Sequence, residues 1–215
     1  MIVIRWVARL DVRKGAVNSD TTPFENSRRA TRPMASTQKS VAMTEWNSEF
    51  CRYAVVKLND SFAQIHKCSR LLTTEQIWHR PNNVSNAIGN LVIHLAGNVR
   101  QWIAQGLDGR PFERDRDAEF SQRDPLPTEQ IVCILDKRLQ EACDIIARMS
   151  DVDLLKKREI QGYKVSGLSA VFHVVEHFSL HTGQIVYATK ILTGKDIRVY
   201  DSSGYRTDGR LEDVP

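Results

Sequence analysis

The sequence predicts an all-α protein, a four-helix bundle with a ligand site in its core. Three observations carry this. Four long stretches have apolar residues at helical spacing, no stretch alternates convincingly as a sheet, and polar turn residues separate the four. With 215 residues, 41% hydrophobic and 26% charged, the chain is long enough for one good core.

The first helix is expected from Thr44, as N-cap, to about Leu72, with Phe50, Leu58, Phe62 and Ile65 near helical spacing. Thr73–Trp78 adds a short helical turn. Pro81, Asn82 and Asn83 stop it and offer caps for the second helix, Val84 to Gln105, which ends at Gly106 and Gly109. The loop from Leu107 to Pro127 holds the alternating charges of residues 114–119. It reads as a solvated surface, or as a flap folded over the mouth of a site, since loops of this length are often functional. The third helix starts near Thr128 and carries Ile131, Leu135, Leu139 and Ile146. Ser150 to Ser166 is a polar connection with an extended piece around Ile160 to Val165. The fourth helix runs from Gly167 to Leu192 and is closed by Gly194.

Residues 1–42 form an N-terminal extension, 43–195 the bundle and 196–215 a polar tail along the surface. The formal charge of +4 divides unevenly. Residues 1–42 hold eight Lys and Arg against Asp11, Asp20 and Glu25, a net +5, whereas the remainder carries a net −1. The basic character belongs to the extension, which reads as a disordered arm or as sequence upstream of a natural start at Met43. The folded part therefore offers no nucleic-acid face. No stretch approaches eighteen consecutive apolar residues, so no membrane span is expected. Cys51, Cys68, Cys133 and Cys143 lack C-x-x-C spacing and read as reduced, partly buried thiols of a cytoplasmic protein.

The fourth helix carries the chemistry. His173, His177 and His181 stand four residues apart, on one face. Neighbours in this stripe are about 6 Å apart along the axis and its ends about 12 Å. With metal–nitrogen bonds of about 2.0–2.1 Å, adjacent rings can share an ion and the outer two cannot. Gly167, Ala170, Val174, His177, His181, Gln184, Ala188 and Ile191 follow one another at spacings of three and four. This seam favours the pair His177 and His181, with His173 beside it. The best third ligand is His94, on a face with Leu91, Leu95, Asn98 and Trp102. Alone, His94 would read as a core residue satisfied by one hydrogen bond. Three imidazoles in nine residues of an apolar helix favour metal binding instead. Asn98 and Gln184, each about one turn beyond a proposed ligand, could orient a ligand ring or a substrate, or could be ordinary core polar groups.

The mid-helix His94 together with Glu176-His-Phe-Ser-Leu-His-Thr-Gly-Gln-Ile185 resembles the DinB/YfiT-like superfamily of metal-binding bundles, over roughly Thr44 to Lys195. The resemblance implies an up-down-down-up helix order, metal ligands at His94, His177 and His181, and frequent homodimers. It also implies a divalent metal, zinc first with nickel or iron as other options, and in some members a low-molecular-weight thiol that is transferred or isomerised. The expected partner is thus a small-molecule substrate or thiol. Two readings follow: a metal-dependent transferase, isomerase or hydrolase, or a non-catalytic metal-binding stress-response protein. A remote third comes from His173-Val-Val-Glu-His177, which spells the H-x-x-E-H of inverted zinc peptidases. The seam turns Glu176 away from His177 and His181, and no carboxylate ligand follows on a packed helix.

Overall fold

A computed structural model describes the backbone of residues 35–204 and the side chains from residue 45 onward. Of the two compact units, Met1–Met34 lies outside the described residues, and so does nearly all of the extension expected to be disordered or non-native. The second unit is mostly helical. Its elements are α1 (Ala35–Ser69), α2 (Thr74–Trp78), α3 (Ile88–Val99), α4 (Arg116–Ser121), α5 (Thr128–Ala147), α6 (Asp151–Leu155), β1 (Lys157–Ile160), β2 (Tyr163–Ser166) and α7 (Gly167–Thr193).

The first helix corrects the sequence reading at its start. The helix already runs from Ala35 through Thr44, because no breaker stands between them; the last proline before it is Pro33. The second helix is corrected too. Val84 to Ala87 are not helical, since the Asn82 side chain accepts the N–H groups of Val84 (3.1 Å) and Ser85 (2.8 Å) in a local turn. The start of α3 is organised by Asn90. Its Oδ1 accepts from the Ala87 N–H at 3.2 Å and from Arg80 Nη2 at 2.6 Å, while Nδ2 donates to the carbonyls of Glu119 and Gln122. One fully buried carboxamide thus starts the helix and pins the following loop to it. Beyond Val99 the helix widens into π-helical turns over Arg100–Gln105.

The loop after α3 contains the short helix α4, and the connection after α5 folds into an antiparallel hairpin with Lys157 opposite Ser166. This small sheet goes beyond the single extended piece the sequence suggested. Its two-residue turn holds Gln161 (φ 52°) and Gly162 (φ 77°) in the left-handed region. The bounds of α7 agree with the sequence reading. Ser166 accepts from the Ser169 N–H at 3.1 Å, and Gly194 closes the helix at φ 65°.

Long-range bonds give the helix directions. Asn47 on α1 donates to the carbonyl of Met149 just beyond α5 (3.2 Å), whereas the later Asn59 accepts from the earlier Gln140 (3.5 Å), so these two run antiparallel. Gln76, just after α1, reaches the carbonyl of Leu192 at the end of α7 (3.5 Å), so those run parallel. α3 opposes α7, because His94 meets His177 and the later Trp102 meets the earlier His173. Between them lies a core with Leu58, Ile65, Leu95, Leu135, Leu139 and Phe178 fully buried. Each such side chain contributes roughly 1.5–3 kcal/mol relative to leaving it in water.

The seam expected on α7 needs correction in its second half. Gly167, Ala170 and Val174 are buried, but the buried line continues through Phe178, Thr182, Ile185 and Thr189. His177 and His181 are half-buried beside it, Ala188 is half-buried, and Gln184 and Ile191 are exposed. Phe172, Leu180 and Tyr187 are likewise exposed on α7. The segment after Gly194 is not purely superficial, because Ile197 is 1% exposed. Among the cysteines, none is bonded to another; Cys51, Cys68 and Cys143 are buried, but Cys133 is exposed, against expectation. Among the described residues, no helix is long and apolar enough to cross a membrane.

Candidate metal centre

His94 projects from the middle of α3, on the buried face it shares with Leu91, Leu95, Asn98 and Trp102. His177 and His181 face it from α7. The Nε2 atoms of His94 and His177 are 2.9 Å apart, and the His181 ring stands edge-on to both, 5.2 Å and 4.5 Å between centroids. One ring nitrogen from each of the three lies within 4.8 Å of the others. Nitrogens around a tetrahedral ion with bonds of 2.0–2.1 Å are roughly 3.3 Å apart, so small ring rotations suffice for all three to share one ion. His173 joins no such group. Its ring lies against Trp102, tilted by 36° with centroids 4.0 Å apart.

The protonation states suit a metal. Burial pushes His177 down to about 2, helped by the neighbouring rings of His181, His94 and His173 and by Arg114. Burial likewise lowers His94 and His181, although Glu119 opposes it at His94 and Gln184 at His181. Near neutral pH these are uncharged imidazoles with lone pairs to give, the form that binds metal.

His94 and His181 are each oriented from behind. His94 Nδ1 lies 2.9 Å from Glu119 Oε2 and 3.1 Å from Arg114 Nη2. An arginine cannot accept and an ionised carboxylate cannot donate, so His94 satisfies only one of them. The N–H donated to Glu119 is the better assignment, because Arg114 already donates to the same carboxylate through Nε (2.7 Å) and Nη2 (2.7 Å). Burial raises the Glu119 carboxyl, yet its bonds to His94 and Arg114 outweigh that and hold it below the usual carboxylate range. This tautomer leaves Nε2 of His94 free to face His177. On the other side, His181 Nδ1 donates to Gln184 Oε1 at 2.7 Å, which frees its Nε2 in the same way.

Glu119 is the residue the sequence reading missed. It sits in the charged loop, yet it is 7% exposed, and the Arg114 side chain beside it is 3% exposed. Gly97 makes their approach possible: a Cβ there would lie 1.9 Å from Glu119 Oε1. The available signal was local, since Glu119 stands between Ala118 and Phe120 in an otherwise polar stretch. The polar network continues outward. Arg114 Nη1 donates to Gln101 Oε1 at 2.9 Å, Gln101 accepts from Gln161 Nε2, and Trp102 Nε1 donates to Gln161 Oε1 at 3.1 Å.

The candidates Asn98, Gln184 and His173 therefore part ways. Gln184 bonds a ring of the cluster, His173 lies against Trp102, and Asn98 contacts no ring through a hydrogen bond. Its buried Oδ1 has no partner among the described residues. Asn98, Trp102 and His173 instead line a cavity of about 410 Å³ that opens onto His94 and His177. Glu176 is exposed and stands outside the cluster.

Comparison with curated proteins finds no match. Residues 45–201 match a family model described as a protein of unknown function, DUF1572. That match covers well over half of the chain, which therefore belongs to the DUF1572 family.

Proposed function

We propose that this protein is a DinB-like up-down-down-up four-helix bundle. In this reading α1, α3, α5 and α7 are its helices, and a divalent ion is held by His94, His177 and His181. The observation that carries the proposal is the convergence of three neutral imidazoles from two helices, with nitrogens within 4.8 Å of one another. Glu119 and Gln184 support it, since each accepts the far N–H of one ring and points the other nitrogen inward. Zinc suits three imidazoles and a tetrahedral site best; nickel and iron accept the same donors.

An ion bound there would supply Lewis acidity, lowering the pKa of a thiol or water placed beside it. The protein's own part would be to hold the rings neutral, fix their tautomers and admit a small molecule through the adjoining cavity. That cavity favours a thiol transferase, isomerase or hydrolase over a closed, non-catalytic metal protein, because a structural site usually closes its shell with a fourth protein ligand. The H-x-x-E-H peptidase reading draws no support, with Glu176 outside the cluster. Metal analysis of the purified protein beside His94→Ala and His177→Ala tests the centre. We expect about one ion per chain in the wild type and background levels in both variants. Full metal content in both variants refutes the assignment.

A further inference from the structure

The cavity beside the three rings has a chemical bias of its own. It holds about 410 Å³, within the range of sites for small molecules. One wall is aromatic, built from Trp102, the His173 ring against it, and Tyr163 from the hairpin. No Asp or Glu is among the described residues that line it, whereas Arg114 and Arg116 both are.

The two arginines differ. Arg114 is spent on Glu119, the carboxylate behind His94. Arg116 has no carboxylate partner among the described residues, and its guanidinium lies over the Phe120 ring, 5.0 Å from the centroid. Of its acidic neighbours in sequence, Asp115 is occupied at the start of α4, accepting the Ala118 N–H at 2.9 Å, and neither Asp115 nor Asp117 lines the cavity. Its charge reaches the site, because it helps to disfavour the protonated form of His94. Asn98 also lines the cavity; it is 3% exposed and its Oδ1 is buried without a partner among the described residues. A buried acceptor left unbonded is costly, so this atom marks where a donor belongs. The cavity therefore combines in one lining an unpaired cation, an orphan acceptor and an aromatic wall.

We propose that this cavity binds a small organic acid whose carboxylate meets Arg116 and whose other end, a thiol or hydroxyl, lies beside Asn98, His94 and His177. The assignment rests on the metal reading above and deepens it by naming the substrate class. A divalent ion with neutral ligands would add positive charge to a cavity that already lacks any acidic wall, which favours an anion further.

The test uses the full chain loaded with cobalt(II), whose absorption bands report a thiol entering the coordination sphere. Three thiols of similar size are titrated at neutral pH: anionic 3-mercaptopropionate, neutral 3-mercaptopropionamide and cationic cysteamine. We expect the acid to bind about fivefold or more tighter than the amide, with cysteamine weakest, as one partly solvated charge-assisted contact allows. Arg116→Gln should remove most of the acid's advantage while leaving the amide's affinity within about twofold, since the amide makes no ion pair. This arm separates Arg116 from direct chelation of cobalt by the carboxylate, which the substitution would not touch. Equal affinities in the wild type, or an advantage that survives Arg116→Gln, overturns the proposal and leaves the metal centre standing. A chain that takes up no cobalt refutes both.

Discussion

His173 and His181 stand one turn to either side of His177, and as residues of a helix they are equivalent. The structure treats them differently. His181 turns edge-on to His94 and has its Nδ1 held by Gln184. His173 lies on Trp102 and forms part of the cavity wall. The difference comes from the helix opposite. α3 runs antiparallel to α7, so the level that carries His94 faces His177 and His181, while two turns further on the same face carries Trp102. Periodicity creates equivalent positions, and the partner helix decides which one joins the cluster.

Substitution breaks the comparison most directly. His181→Ala should lower metal affinity by more than about a hundredfold, beyond the 10–100-fold expected for an orienting group alone, because a donor itself is lost. His173→Ala should retain the full metal content. Competition with a chelating dye reads both, and equal losses would show that the two rings are interchangeable after all.

The next effect concerns the group behind His94. Glu119→Gln keeps the shape but removes the charge that fixes the tautomer, and should cost about 10–100-fold in metal affinity. The buried Arg114 also loses its counter-ion, for a destabilisation of about 1–3 kcal/mol in thermal or denaturant unfolding. A Glu119→Gln protein with wild-type affinity and stability would reduce the carboxylate to a bystander.

The smallest effect is in the pH dependence of the metal-free protein. The folded-state values of His94, His173, His177 and His181 all lie below the ordinary 6.5, so the folded chain binds fewer protons than the unfolded one below that pH. Their contribution is complete above 6.5 and is lost as pH falls, for His177 down to about 2. Glu119, also lowered, adds a loss below its ordinary 4.5. The slope is at most about 1.4 kcal/mol per pH unit for each ring that titrates in this way. Denaturant midpoints measured between pH 7 and 5 should fall steadily, more steeply than in His177→Ala, and a flat profile would contradict the burial of these rings.

Several features were legible because they are local. The bounds of α7 follow from Ser166, Gly194 and the apolar spacing between them, and the alignment of His173, His177 and His181 from their four-residue spacing. Other features were not. Glu119 reads as one more charge in a solvated loop, and only the notch at Gly97 and the carboxamide of Asn90 bring it against His94. The seam of α7 went astray after Val174, because the histidines were counted into the buried line that in fact passes through Phe178 and Thr182. Nothing in the residues around Thr44 told that the helix would continue upstream.

That the chain is helical, with imidazoles where a helix would align them, follows from local pattern. Those are short-range properties, set by propensity, capping and the 3.6-residue period. The long-range packing brings α3 to α7 at His94, sets a loop carboxylate behind that ring, and puts Arg116 on a cavity with no acidic lining among the described residues. These depend on the relative placement of segments distant in sequence, and no local pattern encodes such placement.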